Sequence, residues 1–128
     1  MWGRNRRVCQ LVRIAVSDDA TALVANLHAT GGAGEHIATA EIERVVAWLD
    51  GVANKGEPTI VCGDFNVRGA QLEALIHRGF SEATPGIDHV LVRGVAASPP
   101  VVWPDERRRV NGTLLSDHPP VEVEAAIG

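Results

Sequence analysis

The chain has 128 residues, 45% of them hydrophobic, with 12 basic and 16 acidic side chains and a formal net charge of −4. This is enough apolar material for one small packed domain and too much for a disordered chain. The acidic balance excludes a global attraction to nucleic acid or anionic lipid, so any such binding has to be local.

Residues 7–16 alternate weakly, with Val8, Leu11, Val12, Ile14 and Val16 apolar. Ser17-Asp18-Asp19-Ala20 is a turn signal, and residues 21–29 are apolar again, so the two runs are predicted to form a β-hairpin. Residues two apart on a strand share a face. Leu23, Ala25 and Leu27 then face one way, and Val24, Asn26 and His28 the other. A Gly-rich loop at 30–34 leads into a helix over 35–52, where Ile42, Val45, Val46 and Leu49 recur at helical spacing beside Trp48. A strand is expected over 59–62 and a short helix over 71–77, ended by Gly79. Further strands are expected over 87–92, 101–103 and 121–126, the second of them beside a polar, proline-bearing loop at 104–112.

Hairpin, helix, strand, helix and further strands is an α/β pattern, predicted as a mixed β-sheet with flanking helices. Cys9 and Cys62 sit singly inside apolar runs, which suits small reduced core residues and neither a disulfide framework nor a zinc site. No apolar run reaches membrane-spanning length and no signal-peptide core follows the basic start, so the expected location is cytoplasmic.

Polar groups cluster where strands meet loops, the usual place for sites in α/β folds. In Gly63-Asp64-Phe65-Asn66 an apolar strand runs into a carboxylate and an amide on the same side of the chain. Taken alone, these residues equally suit a turn. Asn26-Leu27-His28 brings an amide and an imidazole to a strand end. In Ile87-Asp88-His89-Val90-Leu91-Val92, alternation places Asp88 and His89 on opposite faces, so the two do not enter one site together. Ser116-Asp117-His118 is not a nucleophilic triad, because three neighbours on an extended chain point in alternating directions. Asp117 and His118 act separately, one at a metal or water and the other against a distant carboxylate. The run Arg107-Arg108-Arg109 lies just upstream, either to steer an anion or as ordinary surface charge.

Taken together, NLH at 26–28, GDFN at 63–66, IDHVLV at 87–92 and SDHPPV at 116–121 resemble the endonuclease/exonuclease/phosphatase superfamily, the DNase I-like group that includes pancreatic deoxyribonuclease. The resemblance implies the C-terminal part of a four-layer α/β sandwich and hydrolysis of a phosphodiester or phosphomonoester. Its implied cofactor is a divalent metal, Mg2+ first and Mn2+ second. By the same resemblance His28 bonds the scissile phosphate, with Asn26 beside it, and Asp64 orients the attacking water. Asn66 holds that water or a phosphate oxygen, Asp88 pairs with His118, and His118 serves as base or as donor to the phosphoryl oxygens. Asp117 and Asp64 are the implied metal ligands. The family pattern also includes an earlier half with an Asn and a Gln-Glu pair whose Glu is the principal metal ligand. No such Glu is found here, since Glu35, Glu41 and Glu43 lie in or near the helix between NLH and GDFN. The expectation is therefore a single partial domain over 1–128, completed by an N-terminal half or by a homodimer across its bare sheet face. The substrate is a nucleic acid, a phospholipid or a small phosphate ester. The alternative is a non-catalytic phosphate- or metal-binding remnant.

Overall fold

The structure is a computed structural model and describes residues 7–32 and 34–127. Strands β1 (Cys9–Ala15) and β2 (Thr21–His28) form the expected antiparallel hairpin. Its turn closes through the Val16 N–H, which donates to the Ala20 carbonyl at 2.8 Å. Helix α1 (Glu35–Val52) carries the chain across to β3 (Thr59–Asp64), which lies parallel to β2. Strand β4 (Asp88–Arg93) returns antiparallel to β3. The sheet order is β1-β2-β3-β4. This is the mixed sheet with helices that the element pattern calls for.

One face of the sheet makes the core. Leu23, Ala25 and Leu27 of β2, Val61 of β3 and Leu91 of β4 meet Ala38, Ile42, Val46 and Leu49 of α1. The predicted stripe on α1 holds, except that Trp48 is 48% exposed and Ala38 is buried in its place. Removing Leu49 to the β-carbon would cost about 2–5 kcal/mol. At the far end of the sheet, the Glu57 carboxylate accepts from Arg13 Nε at 2.8 Å, Thr21 Oγ1 at 2.6 Å and Asn54 N at 2.8 Å. That cluster ties the hairpin to the turn before β3. Cys9 and Cys62 are free and only partly buried, on opposite faces.

The expected helix over 71–77 is split. A 3-10 turn (Gly69–Gln71) precedes α2 (Glu73–His77). Gly79, at φ 87°, ends α2 as expected, with the Gly79 and Phe80 N–H groups returning to the Ile76 and Leu75 carbonyls.

Beyond β4 the chain departs further from the sequence reading. Strand β5 (Val101–Val102) pairs with β8 (Val121–Glu122), while Ala97 and Ala125 form a separate bridge. The strand expected over 121–126 is thus interrupted. Pro99 and Pro100 lie between the two paired regions and have no N–H to give to a ladder. Within the segment expected to be a loop, a 3-10 turn (Asp105–Arg108) leads into a small hairpin of β6 (Arg109–Val110) and β7 (Thr113–Leu114). Asn111-Gly112 supplies its turn with φ of 49° and 79°, the left-handed pair that a tight hairpin needs.

Candidate functional site

Parallel β2 and β3 end at the same edge of the sheet, and β4 begins there. The register sets His28 opposite Asp64 and Asp64 opposite Asp88, one cross-strand row on the face away from the core. Asn26, Cys62 and Val90 form the next row inward. Three residues far apart in sequence therefore share an edge because the hydrophobic alternation of three strands turns the same face to α1.

Glycine makes the close approach of β2 and β3 feasible. A β-carbon on Gly63 would lie 2.0 Å from the Leu27 carbonyl oxygen, at a φ of 128°. The chain then turns at once. Asp64 Oδ1 accepts the Asn66 N–H at 2.9 Å, and Asn66 adopts φ 51°. Asn66 Nδ2 donates to the Ala29 carbonyl at 2.8 Å, and the Ala29 N–H donates to the Asp64 carbonyl at 2.8 Å. Asn66 thus spends its amide N–H on the loop after β2, and its amide group lies against Gly31. Phe65 points the other way and is fully buried.

His118 reaches the row from the loop between β7 and β8. Its Nδ1 lies 2.8 Å from Asp88 Oδ2 and 4.0 Å from Asp64 Oδ2. The hydrogen bond and charge of Asp88 raise the imidazole pKa above its ordinary value, opposed by some desolvation. A carboxylate only accepts, so Nδ1 carries a proton and Nε2 remains for another partner. The His118 N–H donates to Ser116 Oγ at 3.0 Å, so Ser116 shapes the loop. On the other side of the row, His28 Nε2 lies 3.4 Å from Asp64 Oδ2 and 3.2 Å from an Arg7 guanidinium nitrogen.

Asp64, Asp88 and His118 bring one ligand atom each to within 4.8 Å of one another, and Asp117 is not in that group. Asp117 instead lines a cleft of about 480 Å³ with Arg68, Thr84, Ile87, Asp88 and His118. The three consecutive arginines all face acids. Arg107 pairs with Glu122, and Arg108 and Arg109 pair with Asp105. Arg108 also donates to the Ser116 carbonyl at 2.5 Å, so it supports the loop that carries His118. The sequence offered Arg108 as an anion-steering group or as surface charge, not as a loop support, and it did not single out Ala29 or Gly31. The one available signal was Asn111-Gly112, which announces the hairpin that brings Arg108 back to Ser116.

A sequence profile described as the Endonuclease/Exonuclease/phosphatase family matches residues 4–118. The chain belongs to this endonuclease/exonuclease/phosphatase family. Membership places it in a phosphoesterase-type superfamily whose members generally use divalent metals. No curated protein matches it. Among solved structures, it is similar to a functionally unknown conserved protein from Enterococcus faecalis V583, with a TM-score of 0.69 at 20% identity. The alignment covers 88% of this chain and 53% of that one, so this chain spans about half the length of its structural neighbour. At that identity the likeness shows the fold, in keeping with a portion of a DNase I-like sandwich.

The donor set of this family member fits a hard divalent cation in part. Asp88 Oδ2 is already engaged by His118 Nδ1. Asp64 is 19% exposed and open on the same face. Magnesium prefers oxygen ligands and keeps several waters, so one or two carboxylates suffice to hold it beside a substrate phosphate.

Proposed function

We propose that this family member carries part of the active site of a divalent-metal-dependent phosphoester hydrolase. The observation that carries the reading is the row His28–Asp64–Asp88 capped by His118, with the Asp88–His118 bond at 2.8 Å. Asp64 orients water and holds the cation, Mg2+ or Mn2+. When bound, that cation neutralises charge on the phosphoryl oxygens. Asp88 holds the His118 ring with Nδ1 protonated, which leaves Nε2 for a phosphoryl oxygen or for the attacking water. His28, with Arg7 beside it, Asn26 and Asn66 Oδ1 line the approach on which a phosphate and its water sit. Asp117 joins from the loop next to His118. The remaining oxygen ligands come from a preceding half of the fold. That half is an implication of the family resemblance; the structural neighbour adds only that this chain spans about half of its length.

The test is hydrolysis of bis-p-nitrophenyl phosphate and of p-nitrophenyl phosphate by the purified chain, with and without magnesium. Metal-dependent turnover that disappears in Asp64→Asn and His118→Ala supports the proposal. A folded chain that binds magnesium calorimetrically and turns over neither ester favours a second reading, a non-catalytic phosphate- or metal-binding module. One observation favours that second reading in dimeric form. Val12 and Ile14 of β1 are 43% and 47% exposed on the site face of the sheet. Light scattering that gives a monomer counts against the dimer.

A further inference from the structure

On the core side of β4, directly behind the site, lies His89, 1% exposed and absent from every role assigned above. We propose that His89 and Thr84 form a buried clamp that sets the position of the site's carboxylates, making both of them positioning residues. The proposal rests on the phosphoesterase reading for its link to reaction rate.

The clamp joins the two loops that carry the site. His89 Nε2 lies 2.9 Å from the carbonyl of Val67, the residue after Asn66. That carbonyl can only accept, so Nε2 carries a proton. His89 Nδ1 lies 3.1 Å from Thr84 Oγ1, and Thr84 Oγ1 lies 2.7 Å from the backbone carbonyl of Asp88. The imidazole also packs on Phe65, with ring centroids 5.1 Å apart. Burial pushes the His89 pKa down, which favours the neutral ring with Nδ1 as an acceptor. The Thr84 hydroxyl proton then faces two acceptors, Asp88 O and Nδ1, in one short chain of hydrogen bonds.

Every polar partner of His89 belongs to a segment that holds a site residue. Residues 65–67 follow Asp64 and include Asn66, and residues 84–88 end at Asp88. The two segments also abut as backbone: a β-carbon on Gly69 would lie 2.0 Å from the Thr84 carbonyl oxygen. At the sheet edge the Phe65 N–H donates to the Ile87 carbonyl at 2.9 Å. A buried imidazole needs a partner at each ring nitrogen, and both partners of His89 lie on the segments that carry the site. A leucine or phenylalanine would fill the volume, leave the Val67 carbonyl without its imidazole donor and leave Thr84 bonded to the Asp88 carbonyl alone, so the two segments would no longer be joined through this chain. A site is only as well placed as the groups that support it.

Thr84→Val tests this, because it keeps the side-chain shape and removes the hydroxyl, while Thr84→Ser restores it. In the full chain carrying 15N-labelled histidine rings, we expect Thr84→Val to keep the wild-type far-UV spectrum. We expect its His118 Nδ1 resonance to move toward that of an unbonded imidazole. We expect kcat to fall about ten-fold with KM changed by less than about two-fold. Thr84→Ser should sit near wild type. His89→Gln, which keeps one N–H for Val67, is the second variant and is read in the same way. Unshifted His118 signals in a folded Thr84→Val overturn the clamp, whether or not kcat falls, since any loss then bypasses the Asp88–His118 pair. If the wild-type chain hydrolyses nothing, the phosphoesterase reading fails separately. The His118 resonance alone then decides the clamp, a shift supporting it and no shift overturning it.

Discussion

His118 Nδ1 lies 2.8 Å from Asp88 Oδ2, thirty positions earlier in the chain. The hydrogen bond to Asp88, and then its charge, raise the pKa of His118, so the pair is strongest while His118 is protonated. A pKa raised by folding contributes stability that is complete below the unfolded value, about 6.5, and is lost as pH rises through the folded value. Asp88→Asn removes the charge. We expect its His118 to titrate lower than in wild type by NMR. We expect the stability gap between the two proteins in urea to be wider at pH 6 than at pH 9. A gap independent of pH would contradict this pairing.

Asp64 and His118 stand partly exposed, at 19% and 41%. Asp64→Asn keeps an acceptor for the Asn66 N–H, and His118→Ala removes a surface ring. Neither change should shift stability by more than roughly 1 kcal/mol. Both should lower magnesium-dependent ester hydrolysis by about 100-fold or more. EDTA should abolish the wild-type rate, and added Mg2+ or Mn2+ should restore it. An Asp64→Asn variant with full activity would remove Asp64 from the mechanism.

Gly63→Ala should be among the most damaging single changes in the chain. Its new methyl would meet the Leu27 carbonyl at 2.0 Å, at a φ that alanine avoids. Relief requires β2 and β3 to separate at the His28–Asp64 end of the sheet. We expect a loss of about 3 kcal/mol or more, measured by urea unfolding. A variant of wild-type stability would show that the strands part there at little cost.

Acid stability should depend on Glu57, far from the site. The Arg13 side chain, then Thr21 and the Asn54 N–H, hold its pKa down from 4.5 to about 2. A depressed carboxylate contributes stability that is complete above its unfolded pKa and is lost as pH falls through the folded one. We therefore expect stability to drop between pH 4.5 and pH 2, the interval between those two values. Glu57→Gln should flatten that part of the profile and cost roughly 2 kcal/mol at neutral pH. A profile of the same steepness in Glu57→Gln would assign the acid loss to other groups.

The core elements were legible in the sequence because their patterns are local. The stripe Ile42, Val46, Leu49 and the alternation Leu23, Ala25, Leu27 say which face is buried without reference to any other segment. The same alternation separated Asp88 from His89, and the structure puts one at the site and the other in the core. The C-terminal segment was less legible. Its strands are two residues long, too short for a period to show, and Pro99-Pro100 divide the ladder. The Asn111-Gly112 turn was the signal available there.

The site shows the same division. Strand periodicity alone placed Asn26 and His28 on one face and set Asp88 on the face opposite His89, and the motif set pointed to phosphate chemistry. Only the tertiary structure decided which of them meet. Register aligns His28, Asp64 and Asp88 in one row, and a loop supported by Arg108 brings His118, and not Asp117, to Asp88. Periodicity determines a face because it depends on neighbours two residues away. Partnership depends on register and loop closure between segments tens of residues apart, and those are settled when the sheet assembles.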